Sequence, residues 1–158
     1  MSLKIKEASI RDAENLQNMI LESIDLVEDG VFSKKQVDAM RDYWSAENIK
    51  NYICDGKWMV FILVEGSQIK GTISFENGML FSPYIYNSKV LFDGKHAVEM
   101  LNFMENFAKQ NNFKKLSLIC MALTRDFFVS QGFRVVESFN PVWNGEKFDE
   151  FRMEKKIK

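Results

Sequence analysis

YIYNSKVLFDGKHAVEMLNFMENFAKQNNFKKLSLICMALTRDFFVSQGF, running from Tyr84 to Phe133, is the stretch that decides how this chain folds. It opens on the end of a strand, Tyr84 to Tyr86, and enters a polar loop holding Asn87, Asp93, Gly94 and Lys95. Ala97, Leu101, Met104 and Ala108 then recur at helical spacing, and Val98 and Phe107 widen them into a long amphipathic face. Leu116 to Cys120 reads as the next strand, and Thr124 to Gln131 as a short helix that Gly132 is placed to end. Strand, loop, helix, strand, helix in this order builds an α/β layer. Ligands of such layers bind in the crevice beyond the carboxyl ends of the strands, where a helix N-terminus favours anions.

Working outward, Leu3 to Ala8 alternates like a first strand, and Ser9-Ile10-Arg11-Asp12 has the form of a helix start. Leu16, Met19, Ile20 and Ile24 share one face of that helix. Ser33-Lys34-Lys35-Gln36 opens a second helix carrying Val37, Met40 and Trp44, and Ser45 restarts it toward Ile49, Tyr52 and Ile53. Trp58 to Val64 is apolar without interruption, as in a central strand covered on both faces. Glu65-Gly66-Ser67-Gln68 turns the chain into Ile69 to Phe75, and Asn77-Gly78 turns it into Met79 to Tyr86. Pro83 cannot donate a ladder hydrogen bond, so this fourth strand is expected to be irregular, at an edge, bulge or splay. Two closing strands, near Arg134–Phe139 and Asp149–Lys156, flank the turn-like Asn144-Gly145. The order predicts a mixed sheet with helices on both faces, in one domain spanning 1–158.

Composition narrows the function classes. Lys and Arg number 21 against 22 Asp and Glu, so no net field draws the chain to nucleic acid or to an anionic membrane. Lys114-Lys115 and the tail Lys155, Lys156 and Lys158 read as solvated surface. Cys54 and Cys120 form neither a disulfide framework nor a metal pair, and with a single histidine no metal site is expected. Leu3 to Lys6 lacks a signal peptide's apolar stretch, and Trp58 to Val64 is too short to span a bilayer, which points to a cytoplasmic setting.

The element order, the opening Ile5, Ala8, Ser9 and Asp12 pattern and the closing Phe151-Arg152-Met153-Glu154-Lys155-Lys156 strand together resemble the GNAT (Gcn5-related) N-acetyltransferase superfamily. The resemblance covers essentially the whole chain. It implies an α/β fold with a mixed, mostly antiparallel sheet, splayed between its fourth and fifth strands. It also implies acetyl-CoA or another acyl-CoA as cosubstrate, no metal, and the primary amine of a small molecule or peptide as acceptor. Homodimerisation is left open.

The same resemblance assigns candidate residues. The family's pyrophosphate loop, of form R/Q-x-x-G-x-G/A, falls on Phe92, Asp93, Gly94, Lys95, His96 and Ala97, of which Ala97 alone fits. A shift by one places Gly94 at the first motif glycine, with Leu91 and His96 at other key positions. Lys95 would replace the missing guanidinium with an ammonium. Asp93 would either cap the helix and cover the phosphate-binding amides or point away from them. Ile85, Tyr86 and Asn87 would pair through their backbone with the pantetheine arm, and fourth-strand amides would polarise the thioester. Met121 stands where many members have an asparagine, and Phe128 where they have the tyrosine that protonates the leaving thiolate. Met79 takes the place of a fourth-strand glutamate. Catalytic candidates are therefore Tyr84 and, beside Met79, Glu76; Arg125 is a candidate phosphate contact. Tyr86, Ser130 and Thr124 are further hydroxyls near the site, and His96 reads as a first-turn residue beside the cofactor. Tyr43 lies in the acceptor region, and Trp44 reads as core. These departures leave an alternative: a GNAT-fold protein of weak or no catalysis that binds an acyl-CoA or a protein partner.

Overall fold

The computed structural model describes residues 2–56 and 58–158. Strand β1 (Leu3–Glu7) leads into a 3-10 turn at Ile10–Asp12, where Asp12 Oδ2 accepts the Ser9 backbone N–H at 2.8 Å. Helix α1 (Ala13–Asp25) continues from it, so the start read at Ser9 becomes a helix proper three residues later. Helix α2 (Lys34–Tyr43) begins in a capping box: Gln36 N–H donates to Ser33 Oγ at 3.0 Å, and Ser33 N–H to Gln36 Oε1 at 2.8 Å. Ser45 restarts the chain as α3 (Ala46–Asp55) by accepting the Asn48 N–H at 3.1 Å.

Strands β2 (Met59–Glu65), β3 (Gln68–Glu76) and β4 (Met79–Ile85) meander antiparallel before α4 (Gly94–Gln110) crosses over to β5 (Lys115–Met121). Helix α5 (Ala122–Ser130), β6 (Arg134–Phe139), a hairpin of β7 (Val142–Trp143) and β8 (Glu146–Lys147), and β9 (Glu150–Lys156) complete the order. The large sheet runs β1-β2-β3-β4-β5-β9-β6, with β4 and β5 parallel and the other neighbours antiparallel. Asn144 and Gly145 sit at φ of 46° and 84°, the left-handed pair that a two-residue hairpin needs.

Alternation in β2 explains why its apolar run is continuous. Phe61 and Leu63 join Met100 and Met104 of α4 in one core, while Val60 and Ile62 join Leu16, Ile20 and Ile49 in a second core on the other face. Gly71 of β3 is what lets α4 lie close. A Cβ there would come within 2.7 Å of Ile85 Cδ1 and 2.8 Å of Met100 Sδ.

The sheet is interrupted where the proline predicts. Strands β4 and β5 pair only at Met79 with Ser117 and Leu80 with Leu118. Ser82 then takes a φ of 51°, Pro83 follows, and the β3–β4 register slips between Thr72 and Ser74. The outer halves of β4 and β5 part from each other, and that gap positions the site.

Candidate active site

The gap between the parted strands opens into a cavity of about 520 Å³, within the usual ~300–1,000 Å³ range for small-ligand sites. Tyr84 of β4 and Cys120 and Met121 of β5 form two of its walls, and Thr124 of α5 closes one end. The side facing the α2–α3 layer is aromatic. Trp143 stacks on Tyr43 at 5.1 Å between ring centroids, and Trp58 stands edge-on to Phe81 at 4.6 Å. Tyr52 links the two pairs, 5.7 Å from Tyr43 and 4.4 Å from Trp58.

Glu150, the first residue of β9, turns into this cavity with only 5% of its surface exposed. Its Oε2 is buried and has no hydrogen-bond partner among the described residues. A carboxylate drawn away from bulk water without a counter-charge resists ionisation, and burial pushes the Glu150 pKa up to about 7. The same burial raises Tyr84 and Tyr43 above the ordinary phenol range, with the Glu150 charge adding to both. Cys120 is pushed up to about 12 chiefly by burial, so it is a thiol wall rather than a nucleophile.

Tyr84 is also fixed in place. Its hydroxyl accepts the Trp44 Nε1–H at 2.9 Å, and the two rings meet edge to face at 5.6 Å. Trp44 itself is buried in the second core, as its spacing predicts. Glu76 lies at the β3–β4 hairpin end, exposed at the cavity rim. Of the residues singled out from sequence, the cavity thus gathers Tyr43, Glu76, Met79, Tyr84, Leu91, Met121 and Thr124.

The residues expected at the phosphate end lie elsewhere. Phe92 and Phe128 are fully buried and stack on one another at 5.5 Å, with Phe127 and Phe133 packed around them. Neither side chain has a surface to give a cofactor, because the apolar space beneath α4 and α5 claims both. Ala97, on the inner face of α4, is buried as well. Asp93 precedes α4 in extended backbone and makes no side-chain cap; its Oδ1 instead accepts the Ser88 hydroxyl at 2.7 Å. The reading in which Asp93 covers the helix amides therefore does not hold. Gly94 takes a φ of 83°, which suits glycine, and Lys95 is exposed beside it. His96 sits in the first turn of α4, its Nδ1 buried without a hydrogen-bond partner among the described residues and 4.0 Å from Glu99 Oε1. Arg125 lies over the Phe151 ring at 5.1 Å and against Asp126 at 3.4 Å.

Backbone groups of β4 expected to meet the pantetheine arm are engaged within the chain. The Ile85 N–H donates to the Leu91 carbonyl at 2.6 Å, and the Ile85 carbonyl accepts the Ser23 hydroxyl at 3.1 Å. The Tyr86 N–H donates to the Lys70 carbonyl at 2.8 Å, while Lys70 Nζ lies 4.6 Å above the Tyr86 ring. Pro83 has no N–H at all. Loop 86–93 thus closes on the splayed edge, with Leu91 held at a φ of 72° and its side chain in the cavity wall. Asn87 is exposed on that loop at a φ of 64°.

Glu150, Trp58 and Trp143 are the residues that sequence reading missed. Glu150 shares a strand face with Arg152 and Glu154, which looks like an ordinary solvated side. Only the β7–β8 hairpin and α2, folding over that end, bury it. The one available signal was an acidic residue opening a strand directly after an aromatic-rich hairpin, and it is weak.

No family model matches the sequence, and no curated protein matches it. Solved structures do match in fold. A GCN5-related N-acetyltransferase from Rhodopseudomonas palustris superposes with a TM-score of 0.85 at 14% identity, over 99% of this chain and 97% of that one. PaiA N-acetyltransferase from Thermoplasma acidophilum, solved with coenzyme A, gives 0.77 at 22% identity over 99% of both chains. YncA from Salmonella typhimurium, solved with acetyl-CoA, gives 0.67 at 15% identity over 100% of this chain and 95% of that one. The chain has the GNAT acetyltransferase fold, with the parallel β4–β5 pair and the splay that the resemblance implied. At these identities the likeness is one of fold. No helix among the described residues is long and apolar enough to cross a membrane, and none of their His, Cys, Asp and Glu residues cluster as a metal site would require.

Proposed function

We propose that the protein is an N-acyltransferase moving an acetyl group from acetyl-CoA to a primary amine, with Glu150 as general base. The observation that carries this reading is the buried Glu150 carboxylate facing the splay between β4 and β5, its Oε2 without a partner among the described residues. A base with a pKa of about 7 is suited to removing a proton from an ammonium near neutral pH. The amine gives one proton to Glu150, and its nitrogen attacks the thioester carbonyl as it loses a second. The C–S bond then breaks and the thiolate is protonated. Amide, thiol and one released proton are the balance.

Tyr84 suits one of the two remaining tasks better than the other. Its oxygen accepts from Trp44, so its own O–H is free to donate to the oxyanion that develops on the carbonyl. That supplies the polarisation which Ile85, Tyr86 and Pro83 do not offer. As an acid toward a thiolate of pKa about 8.5, a tyrosine raised above its usual value is a poor choice. Protonated Glu150 is the stronger acid and can return the proton it has taken. The free N–H groups at the start of α4, with Lys95 nearby, support anion binding at the cofactor's phosphate end.

Thiol release from acetyl-CoA across an amine panel tests the proposal. Glu150→Gln should lower kcat about 10²–10⁴-fold. The wild-type rate should rise with pH through about 7, and that limb should vanish in the variant. Absence of thiol release with every amine sinks the proposal.

A second reading is favoured by the Ile85 N–H to Leu91 bond of 2.6 Å: a GNAT-fold module that binds an acyl-CoA or a protein partner without turnover. Acetyl-CoA binding with no thiol release would select it.

A further inference from the structure

Resting on the acyl-transfer reading of this cavity, we infer that the acceptor is a primary arylalkylamine: one ammonium on a flat apolar body, without a carboxylate. The lining divides into two chemistries. One is a single buried carboxylate, Glu150, whose Oε2 lacks a partner. The other is the aromatic wall of Tyr43, Trp58, Phe81 and Trp143, held rigid by its own stacking contacts.

A buried carboxylate left unpaired asks for a cation that brings its own hydrogen-bond donors, as a primary ammonium does. Aromatic faces favour that cation and favour a planar ring behind it, since ring pairs gain from offset and edge contacts beyond their area. Charge completes the selection. Among the described residues, the cavity is lined by no Lys, Arg or His, and its two charged members, Glu150 and the rim residue Glu76, are both acidic. An amino acid's carboxylate would find neutral donors such as Ser82 and Asn77 but no counter-charge, and would be repelled by Glu150 and Glu76. A polyamine's second ammonium would reach at most the rim residue Glu76, whose exposed carboxylate is screened by water, and its flexible chain would forgo the ring contacts that a planar body makes with the aromatic wall.

Calorimetry on the full chain, with phenethylamine, phenethyl alcohol, phenylalanine and spermidine as probes, tests this inference without any acyl donor. Phenethylamine should bind about 10–100-fold more tightly than the isosteric alcohol, the range of a charge-assisted hydrogen bond. Phenylalanine and spermidine should bind more weakly than phenethylamine. In Glu150→Gln the amine and the alcohol should become alike. Trp143→Ala, in the exposed hairpin, should weaken both equally. No binding of phenethylamine, equal binding of the alcohol to wild type, or tighter binding of spermidine or phenylalanine overturns the inference. Phenethylamine bound with this selectivity but never acetylated would remove the acyl-transfer reading and leave the binding class standing. Turnover of spermidine or a peptide amine without phenethylamine binding would do the reverse.

Discussion

The two ends of the β4–β5 splay have been given opposite chemistry by neighbouring stretches of sequence. At the α4 end most side chains pack on one another or find a partner, His96 Nδ1 being the exception among the described residues. Phe92 stacks on Phe128, Asp93 holds the Ser88 hydroxyl, and the Ile85 amide bonds the Leu91 carbonyl. At the β9 end the Glu150 carboxylate is buried in front of an aromatic wall, its Oε2 without a partner among the described residues. Folded proteins rarely leave a buried charge unpaired unless it serves something other than stability. The buried side chains of the first end thus serve mainly packing and leave the α4 amides and Lys95 to the proposed anion site, while the second end carries a desolvation cost that the proposed function accounts for.

The largest test of that contrast is the cost itself. Glu150 rises from 4.5 to about 7 on folding, which corresponds to about 3 kcal/mol. The sign follows from proton uptake. The folded chain holds the Glu150 proton more tightly than the unfolded one, so stability is full below 4.5 and is lost as pH climbs through about 7. Glu150→Gln keeps the shape without the charge. The variant should match wild type at low pH and exceed it above neutrality by up to about 3 kcal/mol in urea unfolding. A variant less stable than wild type at alkaline pH would mean that Glu150 has a partner and that the contrast is false.

The next test attacks the packed end. Phe128→Tyr restores the hydroxyl that GNAT resemblance expects there. Because Phe128 is fully enclosed by Phe92, Phe127 and Phe133, that hydroxyl would be buried without a partner. Thermal and urea unfolding should report a loss of about 1–3 kcal/mol, and thiol release should not increase. A gain in turnover at unchanged stability would show that position 128 faces the reacting groups after all.

What could be read from the sequence follows the same division. The fold was legible because it rests on periodicity: the alternating and continuous strands, the capping residues at Ser33 and Ser45, and Pro83 at the break in β4. Core residues were legible for that reason too, Trp44 among them. The site was legible only in part. Tyr84 and Met121 line the cavity because the element order places their strands on either side of the splay. Phe92 and Phe128 were assigned to the cofactor by counting along a motif, and counting carries no information on which way a side chain turns. Glu150 escaped because its dryness depends on Tyr43 and Trp143, more than a hundred and seven residues away respectively in the chain, folding over one strand end.

The smallest expected effect lies where the two ends meet, in loop 86–93. Asp93→Gly removes the carboxylate that holds Ser88, and it leaves the start of α4 with no side chain able to cap it. Losing a cap costs only a few tenths of a kcal/mol with glycine, and this aspartate makes no cap to lose. Two consequences favour cofactor binding. The loop that seats Leu91 on the Ile85 amide is loosened, and a negative charge leaves the neighbourhood expected to receive phosphates. The probes separate them. S-acetyl-pantetheine has no phosphate, so any tightening with it reports the freed Ile85 amide. Additional tightening with acetyl-CoA, diminishing as salt is raised, reports the charge. Calorimetry should show a gain of roughly fivefold or less for each, the scale of about one hydrogen bond. If both probes bind Asp93→Gly more weakly while its unfolding curve is unchanged, the Ser88–Asp93 contact shapes the binding loop rather than closing it, and the α4 end belongs with the working half of the cleft.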